Sequence, residues 1–228
     1  MTLHYHGTPI TPASSLESLA GKCFCVSYAH PANVQRCHEI GQSVMLDNGA
    51  FTIWKQGGKL DPAGFYAWAK PWLDCPTTWG VIPDVIDGNE FENWDMAMEC
   101  PFPTHKMAPV WHLHESLDYL NVLVNRWPRV CFGSSGAYAE VGTPQWHSRV
   151  QEAFDTIWDR RPMIHMLRGM KCCRMPYPFA SVDSTDVARN HHAAKRGPLH
   201  AQLMAGSWDS IQCPITYNPI QRDQEWIT

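Results

Sequence analysis

The sequence lacks long hydrophobic runs and a recognisable targeting segment. No apolar stretch reaches the roughly 18 residues that a membrane-spanning helix needs. The amino-terminal residues also lack the basic and then apolar layout of a secretory signal peptide. We therefore expect a cytoplasmic protein that has no membrane partner.

Motifs of several common enzyme and metal-binding classes are also missing. There is no C-x-x-C or H-E-x-x-H pattern, so the sequence does not predict a structural zinc site. There is no Walker or dinucleotide-binding glycine loop, and no G-x-S-x-G elbow accompanies the serines. What remains is chemistry that carboxylates can perform without a cofactor, such as displacement at an anomeric carbon.

Cysteine is plentiful but is not arranged as a disulfide framework. The chain has nine cysteines, an odd number at irregular spacings. Small secreted domains that depend on disulfides show even numbers and regular spacings. We therefore predict free thiols, most of them acting as small core residues.

Positive charge is concentrated in one segment, although the whole chain has a formal charge of -4. Residues 160–196 contain eight basic and two acidic residues, which gives this segment +6 and leaves -10 for the remainder. A local basic surface can bind the phosphates of a nucleic acid even when the whole protein is acidic. An ordinary solvated surface with ion pairs is the competing interpretation.

Short apolar runs alternate with segments that have helical periodicity, which predicts an α/β fold. Helix starts are indicated at Asp61, Asn89, Ser116 and Thr143. Alternating strands and helices favour parallel pairing, and 228 residues suit one compact single-domain (β/α)8 TIM-type barrel spanning residues 1–228. Seven strands are predicted within 23–29, 43–51, 78–85, 106–114, 129–136, 162–169 and 179–185, and 209–217 is the weaker candidate for the eighth.

Three aspartates lie at the carboxyl ends of different predicted strands, where a parallel barrel places its functional groups. Asp47 precedes an Asn-Gly turn, Asp84 follows Pro83, and Asp183 ends the seventh strand. Any one of them has an ordinary interpretation as a helix cap or turn residue. All three together predict a cavity lined by carboxylates.

Histidines and glycines at other strand ends leave further interpretations open. His112 and His114 end the fourth strand, and with Asp47 they form a candidate catalytic metal site of a barrel hydrolase. As isolated residues, these histidines are more often structural. The segment FGSSG, residues 132–136, is either a tight turn or a loop that presents backbone N–H groups to a ligand.

The series of strand-end motifs resembles that of the tRNA-guanine transglycosylase superfamily. LDNGAF, a strand ending in Asp84, FGSSG, HMLRG and an aspartate followed by T-x-x-A-R-N occur here in order over residues 43–190. That family has D-S-G-G-F, a base-reading aspartate, G-G-L-A-V-G, Y-L-M-G-V-G and a nucleophilic aspartate before T-R-x-x-R-N. The resemblance implies a (β/α)8 barrel that exchanges guanine in a polynucleotide for a 7-deazaguanine through an aspartyl–sugar intermediate.

The resemblance also implies a role for each matching residue. Asp183 is similar to the nucleophile, Asp47 to the acid/base, and Asp84 to the carboxylate that reads the purine. Substrate binding is implied for the residues that surround them, namely His112, Gly133, Ser134, Ser135, Leu167, Arg168 and Gly169. Nucleic-acid binding is implied for Arg189 and Asn190 and, from the basic segment, for Lys171, Arg174, Lys195 and Arg196.

The sequence departs from the family pattern in two places. The nucleophile motif is about three residues shorter between Asp183 and Arg189, and Asp186 stands where the family has an arginine, so Asp186 is a rival nucleophile. The C-x-C-x-x-C…H zinc site of the tRNA enzymes is absent. The chain therefore resembles the phage-type branch, called DpdA, that inserts 7-deazaguanines into DNA inside a bacterial or phage-infected cell.

DNA and a free base such as preQ0 are accordingly the expected partners, and a homodimer is left open. Three alternatives remain: a tRNA-guanine transglycosylase that acts on RNA, the metal-dependent barrel hydrolase, and a non-catalytic nucleic-acid-binding protein.

Overall fold

The computed structural model describes residues 1–191 and 198–218, and these form an α/β barrel. The strands in these ranges are Leu3–Gly7 (β1), Cys23–Ser27 (β2), Ser43–Asp47 (β3), Thr78–Val81 (β4), Met107–Ala108 (β5), Val110–His112 (β6), Arg129–Gly133 (β7), Met163–Met166 (β8) and Ser181–Ser184 (β9). The α-helices are Ala13–Glu17 (α1), Val34–Ile40 (α2), Ala50–Lys55 (α3), Pro62–Leu73 (α4), Glu90–Met98 (α5), Leu117–Arg126 (α6), Pro144–Ile157 (α7), Asp186–Asn190 (α8) and Pro198–Asp209 (α9).

The strands form one parallel sheet that curls into a nearly closed barrel. Its order is β5-β4-β3-β2-β1-β9-β8-β7-β6. The end strands β5 and β6 follow each other in the chain and are separated only by Pro109, which has no N–H to continue a ladder. The Pro109 carbonyl still accepts from the Cys131 amide at 2.9 Å. The two short strands thus share one of eight positions, and the predicted TIM-type barrel is confirmed.

All seven strands predicted with a clear pattern are present, but the prediction for the eighth is wrong. Residues 210–218 form no strand; instead, the Cys213 amide donates to Thr2 Oγ1 at 3.0 Å. The missing position is filled by β1, which pairs with β2 and β9. Its outward-facing side chains are histidines, and His6 Nε2 lies 3.0 Å from Asp209 Oδ1. A buried strand with polar side chains on one face has no apolar run to reveal it.

The predicted helix starts are confirmed by their capping bonds. The side chains of Asp61, Asn89, Ser116 and Thr143 each accept from a backbone amide in the first turn of the following helix. Such caps satisfy amides that have no partner within the helix. The caps fix where α4, α5, α6 and α7 begin, and so fix the lengths of the strand-to-helix loops around the barrel mouth.

Two apolar layers hold the barrel together. The larger layer lies between the sheet and the helices and contains large buried side chains such as Trp111, Trp146 and Phe154. The smaller layer fills the barrel interior with Tyr5, Trp79 and small side chains including Cys25 and Cys131. All nine cysteines are free, as predicted, and seven of them are buried. None of the helices in the described ranges is long and apolar enough to cross a membrane.

Candidate active site

A cavity of about 650 Å³ opens at the carboxyl ends of the strands. The ends of β1, β2, β3, β6, β7 and β9 contribute Gly7, Ser27, Asp47, His112, Gly133 and Ser184 to its wall. Asp84 and Asp183 line the same cavity as Asp47. The structure therefore brings together three carboxylates that lie far apart in the sequence.

Asp183 is held in the cavity by two hydrogen bonds to one of its oxygens. Oδ1 accepts from the backbone amide of Arg168 at 2.7 Å and lies 3.2 Å from His165 Nε2. The side chain is about one-tenth exposed. Oδ2 accepts no hydrogen bond from any residue in the described ranges, so one carboxylate oxygen is oriented but unoccupied.

His165 supports Asp183 as a neutral ring. It is fully buried, and this burial lowers its pKa despite the nearby carboxylate. His165 Nδ1 lies 2.8 Å from the hydroxyl of Ser181. In the neutral ring the proton on Nε2 is then donated to Asp183, while Nδ1 accepts from Ser181. The pair is a structural support that orients the carboxylate without adding positive charge.

Asp47 ends β3 and is half-buried in the cavity. Burial, followed by the charges of Asp183 and Asp84, raises its pKa to about 6, although the Ser27 hydroxyl and the Gly49 amide act in the opposite direction. Gly49 donates its amide to Asp47 Oδ2 at 3.1 Å and has φ of 77°, a left-handed conformation that favours glycine. A carboxyl group with this pKa can both release and take up a proton near neutral pH.

Asp84 is fixed at both oxygens. Oδ1 accepts from Asn48 Nδ2 at 2.8 Å, and Oδ2 lies 3.0 Å from His112 Nε2. Burial alone lowers the pKa of His112, but the carboxylates of Asp84 and Glu115 outweigh it and raise this pKa to about 9. His112 is therefore protonated at neutral pH and donates to Asp84. Asp84 thus has a fixed direction in which to accept hydrogen bonds from a ligand.

Sequence reasoning missed the residues behind this pair. Glu115 is buried, accepts the His112 backbone amide at 2.7 Å, and accepts from Asn93 Nδ2 at 2.8 Å. Asn93 also accepts the Val85 amide, which fixes the loop that carries Asp84. Glu115 follows a strand that the sequence had located, so its position was a detectable signal. Asn93 lies in the middle of a helix, where nothing in the sequence distinguishes it.

The glycine-rich FGSSG segment is only partly in the cavity. Gly133 and Ser134 line it, and a side chain at Gly133 would approach the His112 ring to 3.2 Å. Ser134 Oγ accepts from Trp146 Nε1 at 3.0 Å. Ser135 is buried outside the cavity wall, and its hydroxyl lies 2.7 Å from His114 Nδ1. Two of the three residues predicted to contact the base are therefore at the cavity wall.

The HMLRG segment contributes Leu167 and Arg168 to the cavity, but not Gly169. Gly169 packs tightly against the side chain of Met166, and this contact leaves no space for a larger residue. Arg168 lies with its guanidinium carbon 3.7 Å from the centroid of the Phe51 ring. Arg168 thus lies beside the cavity, where the substrate-binding prediction placed it, and its guanidinium stacks on an aromatic ring of the protein.

The predicted nucleic-acid-binding residues are divided between several places. Arg189 is exposed and lines the cavity, together with Lys55, which sequence reasoning missed. Asn190 instead donates to Asp186. Lys171 and Arg174 are exposed on the short 3-10 helix of residues 170–174, away from the cavity wall. Lys195 and Arg196 lie outside the described residues.

The rival nucleophile Asp186 does not line the cavity. Its Oδ1 accepts from Asn190 at 2.7 Å, and its Oδ2 accepts from Trp208 Nε1 at 2.9 Å. Both oxygens are thus occupied, one by a bond within α8 and one by a bond that joins α9 to α8. This geometry favours Asp183 over Asp186 as the reactive carboxylate.

The side chains of the alternative metal site are engaged with other partners. His112 faces Asp84 and Glu115, whereas His114 faces Ser135 and the Gly88 carbonyl. Within residues 1–191 and 198–218, no group of three or more histidine, cysteine, aspartate or glutamate side chains is placed to hold a metal ion. Among the described residues, Asp47, His112 and His114 are therefore not arranged as ligands of one metal ion.

Comparison with known proteins adds no family assignment. No family model matches the chain, and a search of curated proteins finds no match. The interpretation of the site therefore depends on its geometry and on the motif resemblance.

Proposed function

We propose that this protein is a base-exchange transglycosylase, which replaces guanine in DNA with a 7-deazaguanine such as preQ0. The observation that carries the proposal is the convergence of Asp47, Asp84 and Asp183 on one cavity. Each carboxylate has a different environment there. One is oriented with a free oxygen, one has a pKa near neutrality, and one is fixed at both oxygens by Asn48 and His112.

In the first half-reaction, Asp183 Oδ2 attacks C1′ of the target deoxyguanosine. The C1′–N9 bond breaks, its electron pair remains on the base, and Asp47 supplies the proton that the leaving guanine takes up. An aspartyl–deoxyribose ester results. A separate acid beside the nucleophile is the usual arrangement for displacement at an anomeric carbon.

In the second half-reaction, Asp47 takes the N9 proton of the incoming 7-deazaguanine. N9 then attacks C1′, and the ester bond to Asp183 breaks, which restores the carboxylate. Asp47 is suited to both directions because its pKa is about 6. The cycle is balanced in protons and electrons, and it uses no cofactor.

Asp84 accepts hydrogen bonds from the N–H edge of either purine in this scheme. Its orientation by Asn48 and the protonated His112 makes this recognition directional. The target nucleotide has to leave the base stack, because C1′ and the base edge must both enter the cavity. Single-stranded or locally opened DNA is therefore the expected substrate.

The decisive experiment combines base exchange with adduct trapping. Wild-type protein is incubated with guanine-containing DNA and labelled guanine, and a denaturation-resistant adduct is mapped by mass spectrometry. We expect exchange and an adduct at Asp183, and both disappear in Asp183→Asn. Asp186→Asn is the matched variant and keeps exchange, since its carboxylate lies outside the cavity. Exchange by Asp183→Asn at the wild-type rate contradicts the proposal, and a parallel tRNA reaction tests the choice of DNA.

A further inference from the structure

Arg168 has an unusual backbone conformation beside the proposed nucleophile. Its φ is 53°, in the left-handed region that side-chain-bearing residues seldom adopt. The same residue donates its backbone amide to Asp183 Oδ1 at 2.7 Å. A conformation of this kind persists only when its surroundings impose it, and such positions cluster at functional sites. The bond to Asp183 fixes the origin of the Arg168 side chain next to that carboxylate.

The guanidinium of Arg168 has no polar partner in the described part of the chain. It stacks on Phe51 with its carbon 3.7 Å from the ring centroid, and the side chain is exposed at the cavity. Although Asp183, Asp47 and Asp84 act on it electrostatically, none of them forms an ion pair with it. Stacking on Phe51 fixes the guanidinium plane and leaves the N–H donors at its edge unoccupied.

We propose that Arg168 binds an oxyanion of the substrate at the mouth of this cavity. A planar guanidinium with free edge donors matches the paired oxygens of a phosphate or a carboxylate. Lys55 and Arg189 line the same cavity and add positive charge to it. The inference rests on the proposed function, because the oxyanion belongs to the substrate that Asp183 attacks.

The geometry points first to a phosphate of the target strand. A deoxyribose bonded through C1′ to Asp183 has its phosphates one sugar ring away. The Arg168 side chain starts at the residue whose amide bonds the same carboxylate. An extended arginine side chain is long enough to span a sugar ring. A carboxylate on the incoming base is the second source with the same chemistry, and binding measurements distinguish the two.

The test uses direct binding of a fluorescent single-stranded guanine-containing oligonucleotide to the full chain over a series of salt concentrations. Arg168→Gln removes the charge, and Arg168→Gly does so while favouring the left-handed backbone. For a phosphate contact, we expect both variants to bind about tenfold more weakly, with a salt slope smaller by about 0.7. Arg161 is the matched control, since it also has a positive φ, 48°, and is exposed outside the cavity wall. Arg161→Gln and Arg161→Gly should bind like wild type.

Two pairs of small ligands identify the source of the oxyanion. The first pair is deoxyguanosine monophosphate and deoxyguanosine, and the second is a 7-deazaguanine with a carboxylate substituent and the same base with a neutral nitrile. If the oxyanion is a phosphate, Arg168→Gln abolishes the tighter binding of deoxyguanosine monophosphate over deoxyguanosine. If it is a carboxylate on the base, Arg168→Gln abolishes the tighter binding of the carboxylated 7-deazaguanine over the nitrile. Circular dichroism and unfolding midpoints check that each variant folds.

The inference is overturned if both Arg168 variants are folded and bind every probe with wild-type affinity and salt slope. This outcome is separable from failure of the proposed function, which is judged by exchange of labelled guanine in the wild-type protein. A wild-type protein that shows Arg168-dependent binding but exchanges no base retains the oxyanion site and loses the transglycosylase proposal.

Discussion

Two sides of the same cavity contain an aspartate paired with a histidine, yet the two pairs hold different charges. His165 lies 3.2 Å from Asp183 and its pKa is lowered by burial, whereas His112 lies 3.0 Å from Asp84 and has a pKa raised to about 9. Glu115, a second buried carboxylate behind His112, raises the pKa of that ring, whereas the charge of Arg129 adds to the lowering of the His165 pKa by burial. One acid beside a buried histidine is insufficient to keep it charged, but two acids are sufficient.

This comparison predicts different functions for the two aspartates. Asp183 faces a neutral ring, so it is not paired with a charged histidine, and this suits the nucleophile of the proposed function. Asp84 is paired with a cation and fixed on both sides, which suits recognition rather than reaction. Under the proposed function, similar residue pairs at similar distances would serve as a reactive group and a binding group in one cavity.

The largest expected effect comes from breaking the charged pair. Asp84→Asn should destabilise the protein by about 3 kcal/mol, because it leaves His112 without its cavity-side partner and directs an amide against an N–H donor. Asp183→Asn should cost only about 1 kcal/mol, since asparagine can still accept from Arg168 and neutral His165. Urea unfolding at pH 7 measures both. Equal losses would show that the two pairs do not differ in charge.

Removing Glu115 should make His112 more like the neutral His165. Glu115→Gln should lower the pKa of His112 and cost about 2 kcal/mol of stability at pH 7. A raised histidine pKa stabilises the fold fully below 6.5, and this contribution is lost as pH rises through about 9. The loss of stability in Glu115→Gln should therefore be present at pH 6 and become smaller toward pH 10. NMR titration of the histidines is the direct check, with His165 as the internal reference.

The third prediction concerns the raised pKa of Asp47, the carboxyl group between the two sides. Its pKa rises from 3.8 to about 6 on folding, so ionisation costs stability as pH increases through this window. Asp47→Asn should therefore be more stable than wild type by about 1–2 kcal/mol at pH 8 and show no gain at pH 3.5. Base exchange by the same variant should fall. Unfolding curves at the two pH values decide the first point, and a constant difference between them would exclude the raised pKa.

The smallest expected effect concerns the tautomer of His165. Ser181→Ala removes the hydroxyl that lies 2.8 Å from Nδ1, and this should cost about 1 kcal/mol. The ring proton should nevertheless remain on Nε2, because moving it to Nδ1 would set an Nε2 lone pair against Asp183 Oδ1 and leave Nδ1–H without an acceptor. Nitrogen-15 chemical shifts of His165 report the tautomer, and Ser181→Thr, which keeps a hydroxyl, is the control. A proton that moves to Nδ1 in Ser181→Ala would contradict this account.

The fold was predictable where side chains follow the simple periodicities of buried strands and capped helices. Seven strands have apolar runs, and four helices begin at capping residues that also make their bonds in the structure. β1 was not predicted because His4 and His6 occupy its outward face, where the Nε2 atoms lie 3.1 Å from Cys173 Sγ and 3.0 Å from Asp209 Oδ1, both remote in sequence. The local sequence pattern contains no information about hydrogen-bond partners that come close only in the closed barrel.

The membership of the site was more predictable than its electrostatics. Carboxyl ends of parallel strands share one face, so the convergence of Asp47, Asp84 and Asp183 followed from the fold class alone. The different charge states of His112 and His165 depend on burial and on the positions of Glu115 and Arg129, which only the three-dimensional structure shows. The same holds for Ser135 and Asp186, whose side chains have partners outside the cavity.

The pairing of β1 with β9 has a consequence for biosynthesis. It joins residues 3–6 to residues 181–184, so the barrel wall cannot be completed until residue 184 has left the ribosome. Contacts of such long sequence separation form slowly, and an unclosed sheet exposes two free edges during the wait. Asp183 lies on the closing strand. The last step of barrel assembly and the appearance of the complete cavity are therefore the same event.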